Sequence, residues 1–121
     1  MFLKLNHQKL DIYTYSRAFV LECYKLTKIL PADEKFGMIS QIRRAALSVH
    51  LNIAEGASRK SLTERVRYYE IARGSIIEID AALDIASDLN YLSNYDSQKL
   101  GELMISTFKI LYGLITFVPS K

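Results

Sequence analysis

Apolar residues recur every three or four positions through four separate segments of this chain, and turn-forming residues cluster between those segments. A period near 3.6 gathers side chains on one face of a helix; a strand would need strict alternation, which nowhere persists. Over residues 11–30 the stripe is Ile12, Tyr15, Phe19, Cys23, Leu26 and Leu30, and over 34–55 it is Ile39, Ile42, Ala46, Val49 and Ile53. Over 62–92 it is Val66, Tyr69, Ile76, Ile79, Leu83 and Ala86, and over 97–118 Leu100, Leu103, Met104, Leu111, Leu114 and Val118. Each predicted helix has one face to bury.

The breaks between segments carry their own chemistry. Pro31 stops the first helix, and Asp33 is placed to cap the second, with Glu34 near its positive end. Gly56 suits a left-handed position at the end of the second helix, and Ser61 to Glu64 reads as a capping box for the third. The Asn90 to Asp96 stretch is a turn in which Asp96 can cap the fourth. Connections this short force successive helices to run antiparallel. The expected fold is all-α, an antiparallel up-down-up-down four-helix bundle. It spans residues 1–121 as one domain, because 121 residues suffice for one core, and residues 1–9, which lack periodicity, form a loose N-terminal arm.

There is more apolar surface than one bundle needs. The first helix adds Tyr13, Val20, Leu21 and Tyr24, and the third adds Tyr68, Ile71, Ile77 and Ile85. At helical spacing these residues form contiguous patches, which mark interfaces, so self-association is expected. Gly74, inside the third helix, costs about 1 kcal/mol relative to Ala. Close approach of another helix is the usual reason for such a residue. The small residues Ala45, Ala46 and Ser48 on the second helix, with Ser75, Ala81 and Ala82 on the third, predict tight packing there.

The residues do not assemble a reaction centre, so no catalytic residue, cofactor or metal ligand is assigned, and the chain reads as a non-enzyme. His7 and His50 lack a His, Cys or carboxylate partner at the spacing a helical metal site uses. Cys23 falls on the first apolar stripe and reads as core rather than as a reactive thiol. Gly56 to Ser61 resembles a phosphate loop only superficially, since it follows a helix and not a strand. Glu78, Asp80, Asp84 and Asp88 read as a solvated face. No apolar run is long enough to span a membrane, and charges from Lys4 to Lys28 break up any signal-peptide core. The expected location is the cytoplasm, with no membrane partner.

Two patterns are less ordinary. Gln41, Arg44, Ser48, Asn52 and Glu55 recur at helical spacing as one polar stripe on the second helix. It reads first as a structural network fixing the contact of the second and third helices, with a partner site or plain solvation as alternatives. Charge is also polarised. From Lys35 to Arg73 eight basic residues face three acidic ones, a balance of +5, while from Gly74 to Glu102 one faces six, a balance of −5. The third helix is thus positive where its macrodipole is positive and negative near its other end, against the dipole's preference. Inter-subunit ion pairing or an external partner would account for that. The bundle topology puts Arg59, Lys60, Arg65 and Arg67 at the same end as Lys4, Lys9 and Lys121. Such a concentration suits phosphate backbones, with Tyr68 and Tyr69 as stacking groups or core.

The run Leu30-Pro31, Glu34, Phe36-Gly37, Ser40 to Ala46, Ser48-Val49, Asn52 to Gly56 and Arg59, continued by Ile71 to Ser75 and Glu78, resembles a bacterial four-helix-bundle family encoded in 23S rRNA intervening sequences. The same family includes the accessory variability protein of diversity-generating retroelements. The likeness covers residues 10–118 and departs from the common pattern at Tyr13 and at His50-Leu51. It implies a bundle that assembles into a homopentamer, a basic surface for nucleic acid, in one branch a reverse transcriptase as partner, and no enzymatic activity. The expected function is therefore a non-catalytic homo-oligomeric, pentameric bundle that associates with RNA or an RNA-handling protein through Arg59, Lys60, Arg65 and Arg67. The alternative is a protein-only adaptor or scaffold that binds no nucleic acid.

Overall fold

In a computed structural model, which describes residues 1–117, the periodic segments form α1 (Asp11–Thr27), α2 (Met38–Ala57), α3 (Leu62–Asp88) and α4 (Gln98–Thr116). Val118 and Lys121, assigned above to the fourth stripe and the basic end, lie outside the described residues. Cross-helix contacts fix the directions. Ser16 near the start of α1 meets His50 late in α2, whereas Thr27 at the end of α1 meets Arg43 early in α2. Gly56 packs on Tyr69 while Ser48 meets Ser75, so α2 and α3 are also antiparallel. Lys99 at the start of α4 reaches Glu22 on α1. Each helix touches the two beside it in the order α1, α2, α3, α4 and back to α1, and the α2–α3 seam is the most extensive.

The helix ends differ from the sequence reading for local reasons. Leu30 precedes a proline and is pushed out of helical geometry. Accordingly, α1 tightens into three-residue hydrogen bonds after Thr27 instead of running to Leu30. Residues Ala32–Glu34 form a 3-10 turn, so α2 starts at Met38 and not at Glu34. Its first amide, Met38 N–H, donates to Glu34 Oε1 at 3.3 Å; Glu34 does what Asp33 was expected to do. Half of the capping box forms, with Glu64 N–H donating to Ser61 Oγ. At the end of α3 it is Asn90, at φ 62°, that turns left-handed. Tyr91 N–H then reaches Ala86 O and Asn90 N–H reaches Ser87 O, a Schellman closure that stops α3 short of Leu92. The N-cap of α4 is Ser97 and not Asp96, but Asp96 Oδ1, one residue earlier, accepts from the first helical amide, Gln98 N–H, at 3.1 Å.

Both notable glycines act differently from their predicted roles. Gly56 has no positive φ and sits inside α2. A Cβ there would lie 2.9 Å from Tyr69 Cε1 and 3.0 Å from Tyr68 Cβ, so the reason for glycine is steric. Gly74 is the converse: it faces outward, and a Cβ would meet nothing within 4 Å. Among the described residues no other helix of its own subunit approaches it.

The core is a single cluster in which Phe19, Leu26, Ile42, Val49, Ile53, Ile76, Ile79 and Leu111 are fully enclosed. Tyr15 does not join it, being 40% exposed at the edge of the α1 stripe. Cys23 does, and burial pushes its thiol up to about 12. Ile71, Ile77 and Ile85 face outward at 46%, 48% and 53% exposure, and Leu21 does the same on α1, while Tyr13, Val20 and Tyr24 are half-buried. The arm is partly organised. Asn6–Lys9 is a 3-10 turn, and the His7 ring sits 5.4 Å from Tyr13, which stacks at 4.5 Å on His50. Burial, then the charge of Arg17, lowers the His50 pKa.

A buried acid occurs where the sequence did not mark one. Glu22 is enclosed between α1 and α4, and its Oε1 takes both Lys25 Nζ and Lys99 Nζ at 3.3 Å. Burial raises its pKa, but the two ammonium groups outweigh it and hold the carboxyl below its usual range. Glu78, Asp80, Asp84 and Asp88 are all exposed. No helix among the described residues is long and apolar enough to cross a membrane.

Candidate nucleic-acid interface

The connection from α2 to α3 is only four residues, Ser58 to Ser61, and its conformation is set from both flanks. Ser58 N–H closes α2 on Ala54 O and Glu55 O, and Ser58 Oγ donates to Glu55 O at 2.7 Å. Arg65, one turn into α3, folds back so that its Nε donates to Arg59 O at 2.6 Å. The link is thereby pinned against the first turn of α3.

Arg59 is the organiser of this corner. Its guanidinium donates to Glu55 Oε2 at 2.8 Å and to the Tyr68 hydroxyl at 3.0 Å, and lies 4.9 Å above the Tyr68 ring. Tyr68 and then Glu55 favour its cationic form. Its Nε is buried without a hydrogen-bond partner among the described residues. Arg59 thus ties the end of α2 to the face of α3, with part of its charge already answered.

The four predicted cations do not form one patch. Positions 65 and 67 are 200° apart around a helix, and the surface divides accordingly. Arg59 and Arg67 line a groove of about 320 Å³ with Glu64, Tyr68 and Ile71. On the other flank of α3, Lys60 and Arg65 line a groove of about 400 Å³ with Tyr69, Leu114 and Phe117. Between them lies the N-terminus of α3, where unpaired amides and the helix dipole add positive potential. Lys60, Arg65 and Arg67 are exposed and carry no ion pair among the described residues. The arrangement is a saddle with cations on both flanks; Glu55 pairs with Arg59 and the exposed Glu64 shares the Arg59–Arg67 groove, so the Lys60–Arg65 flank is the more strongly positive. Tyr69 is core and only its edge reaches a groove, whereas Tyr68 is half-buried beneath Arg59. Of the other cations assigned to this end, Lys4 shares a separate groove with Tyr13 and Arg17.

The polar stripe on α2 divides as well. Asn52 Nδ2 donates to Ser48 O at 2.8 Å and to Ser48 Oγ, and Ser75 Oγ donates to Ser48 Oγ at 2.9 Å, which joins α2 to α3. Glu55 serves Arg59 instead. Gln41 and Arg44 are exposed and belong to neither group. Nothing in the sequence distinguished these two sets, because spacing gives a face and not a partner. Among the described residues no three His, Cys, Asp or Glu side chains are gathered as a metal site would require.

A family model described as 23S rRNA-intervening sequence protein matches residues 8–113. Among solved structures, the chain is similar to the crystal structure of a protein of unknown function from the S23 ribosomal protein family of Bacteroides thetaiotaomicron. The TM-score is 0.78 at 21% identity, over 88% of this chain and 99% of that one. At that identity the likeness is one of fold. None of the curated proteins matches the chain.

Proposed function

The chain belongs to the 23S rRNA-intervening sequence protein family, and on that premise we propose that it is a non-catalytic, cytoplasmic homo-oligomeric bundle that holds RNA through its basic end. The observation that carries this reading is the saddle at the start of α3, with Lys60 and Arg65 on one flank and Arg59 and Arg67 on the other. A phosphodiester backbone crossing it meets cations on both sides and a positive helix end between them. Helix polarity that is unfavourable within α3 is then useful to the complex. The pentamer implied by the family resemblance would multiply the saddle, and a reverse transcriptase that handles RNA is the protein partner the same resemblance suggests.

Salt-titrated binding to a structured RNA tests the proposal. Counterion release predicts affinity falling steeply with salt, and the log–log slope should shrink by about 1 for each contacting cation removed. Affinity unchanged between low and moderate salt, or unchanged by Arg59→Glu with Lys60→Glu, overturns it. The exposed isoleucines of α3 favour a second reading, a protein-only scaffold. It wins if Arg65→Glu with Arg67→Glu dissociates the assembly while RNA binding never appears.

A further inference from the structure

Two surfaces lie beyond the saddle, sharing with it only Ile71 of its Arg67 groove, and each has what the other lacks. The outward face of α3 runs along Ile71, Gly74, Ile77, Ala81 and Ile85, all exposed. Glu78, Asp84 and Asp88 are interspersed along it, also exposed and without an ion pair among the described residues. Elsewhere, a groove of about 520 Å³ along α1 and α2 is floored by Tyr24, Phe36, Ile39 and Leu47 and edged by Lys35, Arg43 and Arg44. Phe36 is 90% exposed there, in the turn before α2. Arg43 is held in place over the Tyr24 ring at 4.8 Å and donates to Thr27 Oγ1 at 2.8 Å. Lys35 and Arg44 have no acidic partner among the described residues.

We propose that the outward face of α3 in one copy docks into the α1–α2 groove of the next copy, head to tail. This rests on the homo-oligomeric reading above and says which surfaces meet. A ridge of apolar side chains interspersed with three carboxylates fits an apolar groove lined with three cations, and burying both removes the exposed isoleucines and Phe36 from water together. Gly74 and Ala81, seven positions apart on the middle of the ridge, let a second backbone approach closely. That gives Gly74 the close neighbour it lacks in its own subunit. Because ridge and groove are different surfaces, the contact is heterologous, and repetition of it closes a ring when the rotation permits. The acidic second half of α3 is then an assembly signal.

Sedimentation velocity on the full chain tests this, with circular dichroism confirming helix content of each variant. Gly74→Leu meets open space within the subunit and should fold, yet should lose the assembly. Lys35→Glu with Arg44→Glu, and separately Asp84→Lys with Asp88→Lys, should each weaken association by about a hundredfold or more. Combining all four changes should restore it, because the reversed charges again face their opposites. A wild-type chain that is monomeric at every concentration overturns the homo-oligomeric reading and this contact together. A multimeric wild type whose variants keep their mass overturns the contact alone. So does a groove variant that loses RNA binding but not mass, since the groove would then be an RNA surface.

Discussion

Replacing Gly56 by alanine adds one methyl group at the tightest point of the α2–α3 seam. The new Cβ would stand 2.9 Å and 3.1 Å from Tyr69 Cε1 and Cδ1 and 3.0 Å from Tyr68 Cβ. Neither neighbour can swing away: Tyr69 is 5% exposed in the core, and the Tyr68 contact is at the carbon bonded to its backbone. The first turns of α3 must therefore shift by several tenths of an ångström. Overpacking of this kind costs about 1–3 kcal/mol, against which alanine returns at most about 1 kcal/mol of helix propensity. A net loss of about 1–2 kcal/mol follows. With an unfolding entropy of about 2.1 cal/mol/K per residue, 121 residues lose about 4 °C of Tm per kcal/mol, so the expected shift is a fall of about 4–8 °C. Gly101→Ala is the internal control, because a Cβ there meets nothing within 4 Å. It should raise Tm by about 2–4 °C. Scanning calorimetry of both variants at matched concentration decides the matter: a Gly56→Ala protein at least as stable as wild type would refute the steric reasoning.

Two further outcomes concern buried titratable groups. Because its folded pKa is depressed, Glu22 contributes stability above the usual carboxylate range that is lost as pH falls through its own lower value. Both lysine partners are about two thirds exposed, so Glu22→Gln should cost only about 0.5–1 kcal/mol, or about 2–4 °C, at pH 7. The difference from wild type should shrink as pH falls through the carboxylate range, and a Tm gap that stays constant across that range would show that the ion pairs contribute nothing. Cys23, with its thiol pushed up to about 12 by burial, should resist iodoacetamide in the folded protein and react once unfolded. Stoichiometric labelling under native conditions would contradict the core placement.

Periodicity carried the helices, because burial on one face is a property of the sequence itself. Ile42, Val49, Ile53, Ile76 and Ile79 sit where their spacing put them. Ends were less legible, since competition among nearby polar groups decides them: Glu34 rather than Asp33 reaches Met38, and Asn90 rather than Gly56 turns left-handed. Glycine was legible as a demand but ambiguous in kind, steric at Gly56 and unmet within the subunit at Gly74. The basic cluster could be counted from the sequence. Its division across α3, and the engagement of Arg59 with Glu55 and Tyr68, depend on helix phase and on contacts four and nine residues apart. Glu22 was only half legible: Lys25 stands three residues on, but Lys99 reaches it from the last helix.

That last contact has a consequence for how the chain comes together. The seams α1–α2, α2–α3 and α3–α4 each join consecutive helices, whereas α1–α4 joins the first to the last. Consecutive seams close short loops and form early; the α1–α4 seam must wait for nearly the whole chain. During synthesis, α1 to α3 can therefore assemble while α4 is still being made. The nascent three-helix form leaves uncovered the side of the core that Leu100 and Leu111 later seal, and it stays sticky until Lys99 reaches Glu22.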